Sequence, residues 1–222
     1  MPRTARASVG GTCYHVMNRG NARSEVFHDQ ADYEAFVELI GRACERVEMR
    51  VLAYCAMPNH FHLVLWPRRD GDLGRWMQWL LTSHVRRHHR RHGTSGHLWQ
   101  GRFKAFPVQD DFHLLSVLRY VERNPLRAKL VSRAEQWRWS SLRFRRGKVR
   151  ADFLAPGPVE LPRNWLQRVN RPQTEEELAA LRRSVVRGRP FGEAGWVRRV
   201  ARRLGLESTL RPRGRPPKTR KK

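Results

Sequence analysis

The chain has 222 residues, with 45 Lys and Arg against 20 Asp and Glu, a formal net charge of +25 and a pI near 11.6. That length suits one moderate domain with an appendage. The charge opposes compaction unless a polyanion neutralises it, so nucleic acid is the expected partner, with an anionic membrane surface as competitor. With no long apolar run and no apolar region after Met1, the sequence argues against membrane-spanning and secreted classes and for a cytoplasmic, nucleoid-associated protein.

Residues 12–18 alternate as a first strand, closed by Arg19-Gly20-Asn21. Asp29 or Asp32 is placed to cap a helix on which Tyr33, Phe36, Val37, Ile40 and Cys44 recur at helical spacing. Residues 51–57 are short and continuously apolar, the pattern of a central strand. Pro58-Asn59 then turns the chain into His60-Phe61-His62-Leu63-Val64-Leu65-Trp66. Side chains alternate faces on a strand, so His60 and His62 point one way while Phe61, Leu63 and Leu65 point the other. One face suits a core; the other presents two imidazoles within reach of one cation. Two imidazoles alone leave a metal site incomplete, and the stretch reads equally as a half-buried strand with two surface histidines.

Asp72 opens a second helix with Leu73, Trp76, Met77, Leu80 and Leu81 on its apolar stripe. It ends in the acid-free run Arg86-Arg87-His88-His89-Arg90-Arg91-His92, broken by Gly93-Thr94-Ser95-Gly96. Residues 99–108 are strand-like, with Arg102 and Lys104 on one face and Phe103 and Ala105 on the other. Asp110 or Asp111 caps a third helix through Leu114, Leu115, Leu118 and Val121, running into Asn124-Pro125. The order predicts an α+β sandwich with a mainly antiparallel sheet, helices on one face, and His60 and His62 on the open face.

Trp137-Arg138-Trp139-Ser140-Ser141 closes a region spanning residues 1–145. Residues 146–173 are rich in Gly, Pro and Arg with weak periodicity and read as a linker. Residues 174–210 form a basic helical extension: one helix starts at Glu175-Glu176-Glu177 and bears Leu178, Leu181 and Val185, and a second follows Trp196. Residues 211–222 hold seven basic residues and three prolines, a tail expected to be disordered unless bound. Its Pro212-Arg213-Gly214-Arg215-Pro216 resembles an AT-hook, in which Arg213 and Arg215 would enter a narrow minor groove; loop punctuation beside a polycation gives the same string. Cys13, Cys44 and Cys55 are widely spaced and form no Cys-x-x-Cys pair, so reduced thiols are expected.

The segment 118–128 supplies what the histidines lack. Tyr120 and Asn124 are four residues apart and share a face if the helix holds that far. Asn124 offers a carbonyl oxygen, a hard ligand that would balance two imidazoles on Mg²⁺ or Mn²⁺. Tyr120 offers a hydroxyl that becomes nucleophilic beside a cation. Taken singly, Tyr120 is an amphipathic helix residue and Asn124 merely precedes a proline.

The set resembles the REP-associated tyrosine transposases, a branch of the single-tyrosine HUH endonucleases. The resemblance is carried by Tyr14-His15-Val16-Met17-Asn18-Arg19-Gly20, by Met57-Pro58-Asn59-His60-Phe61-His62, by the Gly93–Gly96 break, by Trp99-Gln100-Gly101-Arg102-Phe103-Lys104 and by residues 120–128, with Trp137–Ser141, Arg189-Pro190-Phe191-Gly192 and Trp196 adding to it. It implies a ferredoxin/RRM-like sandwich in which His60 and His62 hold the divalent cation, Asn124 sits where relatives place Gln or Asn as third ligand, and Tyr120 attacks a DNA phosphate to leave a 5′-phosphotyrosine and a free 3′-OH. It implies as substrate single-stranded DNA folded into REP-like palindromic hairpins, acted on by a monomer or homodimer. Candidates for gripping that DNA are Arg86, Arg87, Arg90, Arg91, Gly93, Thr94, Ser95, Gly96, Arg102 and Lys104, with solvated basic surface as the alternative for each. Two rival functions are a non-catalytic DNA binder and a phosphoesterase that uses water; the charge disfavours small phosphates.

Overall fold

The computed structural model describes residues 8–146 and 151–211. The first strand, β1 (Cys13–Arg19), is followed by α1 (Gln30–Arg46), β2 (Met49–Met57), β3 (His60–Pro67), α2 (Asp72–His92) and β4 (Lys104–Val108). All pairings are antiparallel, in the order β2-β3-β1-β4, which with the βαββαβ sequence gives the ferredoxin-like sandwich. Local chemistry explains the boundaries. Asp29, rather than Asp32, is the N-cap of α1: it accepts from the Asp32 amide at 3.1 Å, while Asp32 accepts from the His28 amide at 3.0 Å. Asp111 caps the next helix, accepting from the His113 amide at 2.7 Å. Gly93 ends α2 in the left-handed region at φ 62°.

Helices lie on both faces of the sheet, which corrects the expectation of one. α1 and α2 pack on the face formed by Tyr14, Val16, Tyr54, Phe61, Leu63 and Leu65. The opposite face carries Cys13, Cys55, Val64, Phe106 and Val108; these bury themselves under α3 (Phe112–Glu122), α5 (Trp165–Asn170) and α6 (Glu175–Arg187). A strand face this apolar cannot stay open to water.

β2 is an edge strand, not a central one. Its continuous apolar run reflects burial on both faces, and its outer side is sealed by later chain: Ala56 donates to Trp139 O at 2.9 Å and Ala155 to Val51 O at 2.9 Å. At the other edge, the Phe191 segment runs parallel beside β4, with Phe191 donating to Pro107 O and Gln109 to Phe191 O, each at 2.9 Å. Residues 99–103 leave the strand pattern because Gly101 turns left-handed at φ 78°; they are tied to the end of β1 by a Gly20–Trp99 bridge and a 2.8 Å bond from the Gln100 amide to Arg19 O.

The span expected to be a linker contains α5, whose Trp165 and Val169 are buried among Leu118 and Val121 of α3. The helical extension is likewise packed: Leu178 and Leu181 of α6 belong to the same core, and α7 (Ala194–Arg203) follows. α3 itself is anchored by Glu122, which is fully buried and accepts from Ser141 Oγ at 2.6 Å, Arg145 Nε at 2.7 Å and Trp165 Nε1 at 2.7 Å. All three cysteines are free thiols, and burial pushes Cys13 up to about 12 and Cys44 up to about 11. The AT-hook-like segment with Arg213 and Arg215 lies outside the described residues.

Candidate active site

The register of the sheet assembles the site. Across the β1–β3 ladder Arg19 lies opposite His60 and Met17 opposite His62, so these residues share the face covered by α3. That face is therefore not open, and His62 is only 3 % exposed. The His60 and His62 ring centroids are 5.0 Å apart. The next inward residue of β1 on that face, His15, brings its Nε2 to 2.9 Å from His62 Nδ1.

The tautomer of His60 follows from its partners. Asn59 Nδ2 donates to Arg23 O at 3.0 Å, which fixes the amide and leaves Asn59 Oδ1 facing His60 Nδ1 at 2.7 Å. A carboxamide oxygen only accepts, so His60 carries its proton on Nδ1 and keeps a lone pair on Nε2. Burial, reinforced by Arg19 and Arg127, pushes His60 down to about 4. Burial and the neighbouring His15 and His60 push His62 well below the ordinary imidazole range, and burial alone takes His15 to about 3. All three rings are neutral at pH 7.

Tyr120, on the last turn of α3, packs its ring edge-on against His62 at 5.7 Å and faces His15 at 6.2 Å. The chain continues almost helically through Arg123 into the single turn α4 (Asn124–Arg127), with Ala128 donating to Asn124 O at 2.9 Å. Tyr120 and Asn124 therefore lie one turn apart on one side. Arg127 joins them: its guanidinium sits 4.2 Å from the Tyr120 ring centroid and donates to Asn124 Oδ1 at 2.7 Å. Tyr120 is 6 % exposed beneath this cover.

Three members of this constellation, His15, Arg19 and Arg127, have no role assigned from sequence. The alternation of β1 holds the signal for the first two: Tyr14 and Val16 face one core, so His15 and Arg19 face the other. Nothing local marks Arg127.

The basic candidates divide between two sides. Lys104 lies opposite Met17, in the same row as His62, and Arg102 joins Met17, Arg19, Gln100 and Lys104 around one shallow pocket. Arg86, Arg87, Arg90 and Arg91 instead line a groove with Arg42 and Trp79 on the outside of α1 and α2, across the sheet from Tyr120. Arg91 is already engaged, at 2.6 Å from Asp29 and 2.9 Å from Asp32. The exposed 93–96 loop is held to α2 by His89, which bonds Thr94 Oγ1 at 2.8 Å and Gly96 O at 3.1 Å. Among the described residues no helix is long and apolar enough to cross a membrane.

Comparison with known proteins places the chain in a family. A Haemophilus influenzae protein described as a REP-associated tyrosine transposase is 27 % identical over an alignment 111 residues long that covers 45 % of this chain and 62 % of that protein, so the match spans about three fifths of the relative's length. The solved structure of a REP-associated tyrosine transposase bound to a REP hairpin superposes with a TM-score of 0.56 at 17 % identity, covering 72 % of this chain and 94 % of that one, and so shares the fold. The family model described as "Transposase IS200 like" matches residues 8–124, from the residue before β1's lead-in through Asn124. Because that match takes in more than half of the sequence, the chain belongs to the IS200-like transposase family.

Proposed function

We propose that this protein nicks and rejoins single-stranded DNA at REP-like hairpins, using Tyr120 as nucleophile and a divalent ion, Mg²⁺ or Mn²⁺, held by His60, His62 and Asn124. The observation that carries the reading is the convergence on one sheet face of Tyr120, two lone-pair-bearing imidazoles and a carboxamide next to basic groups. The hairpin bound by the solved relative supports the substrate class.

The donor set fits a divalent ion. His60 offers Nε2, and His62 does the same when its Nδ1–H donates to His15. Asn124 Nδ2 is buried without a hydrogen-bond partner among the described residues; turning the amide end for end puts a carbonyl oxygen there. In that orientation Arg127 loses its acceptor, so Arg127 and the ion compete for one oxygen. The set is neutral and flanked by Arg19 and Arg127, so the charge is balanced only when DNA phosphate is present. When bound, the ion polarises the scissile phosphate and offsets its developing charge.

The chain's own groups do the rest. Tyr120 Oη attacks phosphorus as its proton leaves; the P–O3′ bond breaks, and the departing 3′ oxygen takes a proton, giving a 3′-OH and a phosphotyrosine. Reversal by a 3′-OH rejoins the strand with no external energy source. Arg102 and Lys104 are placed to hold the strand leading to this face, and Arg127 must lift from the Tyr120 ring to admit it. The test is a labelled hairpin oligonucleotide incubated with Mg²⁺ or Mn²⁺. Wild type forms a covalent adduct, whereas Tyr120→Phe binds the hairpin but forms none. Equal cleavage by both proteins rules out the tyrosine.

A further inference from the structure

We infer a second metal site, a structural transition-metal centre of zinc type, built by His28, His88 and His92 on the opposite side of the sheet from Tyr120. One nitrogen of each residue lies within 4.8 Å of those of the other two. His88 and His92 are one turn apart on α2, and His28 comes from the segment just before α1. Ring centroids are 4.6 Å apart for His88–His92, 4.8 Å for His28–His92 and 5.5 Å for His28–His88.

Two observations point to a ligand rather than to casual crowding. The Nε2 atoms of His28 and His88 face one another at 3.4 Å. Two imidazoles bound to one tetrahedral zinc at about 2.0–2.1 Å hold their nitrogens roughly 3.4 Å apart. Without an ion, at most one proton serves that contact. Secondly, the Asp32 carboxylate lies 3.0 and 3.1 Å from His92 Nε2, the carboxylate–imidazole pairing that orients ligating histidines. Asp29 and Asp32 together outweigh Arg91, which pairs with both, so the local charge tolerates a dication. His28 is exposed, which gives the ion a path in.

Three imidazoles completed by water suit zinc, cobalt or nickel, not the oxygen-loving Mg²⁺. The site would staple the C-terminal end of α2 to the entry of α1. Its neighbour His89 holds the 93–96 loop, so the ion would also stiffen the path into Trp99 and the end of β1.

The test uses the full chain stripped by a chelator and then titrated with Zn²⁺, and with Co²⁺ for its four-coordinate visible band. At a hundredfold excess over Kd, wild type gains roughly 5–10 °C in Tm. His28→Gln, at an exposed position, keeps the melting temperature of the metal-free protein but loses both the gain and the cobalt band, as does His92→Gln. A His60→Ala/His62→Ala variant retains both, which separates this centre from the proposed catalytic one. The inference is overturned if wild type gains no more than His28→Gln, or if the gain survives in His28→Gln and disappears in His60→Ala/His62→Ala.

Discussion

Glu122→Gln tests whether the helix that presents Tyr120 is fixed by one buried carboxylate. Glu122 has no solvent exposure and accepts three hydrogen bonds, two on one oxygen from Ser141 and Arg145 and one on the other from Trp165. Gln keeps the volume but replaces one acceptor with an NH₂ that faces a donor. Losing one partner of a buried ion pair costs about 3–5 kcal/mol. Arg145 is 21 % exposed and can recover some water, which favours the low end. A stranded Trp165 indole N–H costs about 1–3 kcal/mol, partly the same energy because both bonds share one carboxylate. The expected loss is about 3–4 kcal/mol, a large part of the 5–15 kcal/mol usual for a domain. In urea titrations the midpoint should drop with the slope unchanged, and Tm should fall by roughly 6–15 °C. The double mutant Glu122→Gln/Trp165→Phe should be less destabilised than the sum of the singles by about 1 kcal/mol. A loss below about 1 kcal/mol for Glu122→Gln, or strict additivity, refutes the anchoring role.

Acid should loosen the protein through its histidines. His15 and His60 sit at about 3 and about 4 in the folded chain and near 6.5 once unfolded, so their stabilising contribution is complete above about pH 6.5 and is lost as the pH falls towards 4. Urea midpoints of His15→Phe should depend less steeply on pH across that window; an identical slope contradicts the assignment. Mn²⁺ should bind the DNA-free protein weakly and more tightly with hairpin present, and Arg127→Gln should raise the DNA-free affinity about tenfold by removing a nearby charge and a competitor for Asn124; calorimetry decides it. His60→Ala and His62→Ala should each abolish metal-dependent cleavage, whereas Phe61→Leu, on the other face against Phe36 and Trp99, should cost about 1 kcal/mol of stability and leave cleavage intact; gel assays and melts on the three variants test this.

Much of the site is legible in the sequence because strand alternation alone sends His60 and His62 away from Phe61, and helical spacing alone puts Tyr120 near Asn124. The α+β class follows in the same way. What escapes is whatever depends on remote partners. His15 acquires meaning only when the register sets it beside His62, 47 residues away. Glu122 looks like an exposed helix acid until Ser141 and Trp165 close around it. β2 reads as central because an apolar run records burial of its faces and is silent about its edges. α5 escapes because two apolar anchors, Trp165 and Val169, are too few for periodicity amid Gly, Pro and Arg. The arginine run at 86–91 is visible as charge, but only the packing of α2 shows that it looks away from Tyr120.

The strands that carry the histidines are finished long before the sheet is safe. Both outer strands are sealed by chain made after Asn124: β2 by residues 139–142 and 154–155, β4 by the Phe191 segment. A fragment ending where the family match ends would hold every proposed catalytic group and yet expose two rows of unpaired amides and carbonyls, together with the apolar patches that α5 and α6 cover. Such edges recruit further strands. The shortened chain should thus be sticky rather than merely unstable, and a nascent chain should pass through the same state until the segment around Phe191 has emerged from the ribosome. For this protein, the boundary of the chemistry and the boundary of solubility lie some seventy residues apart.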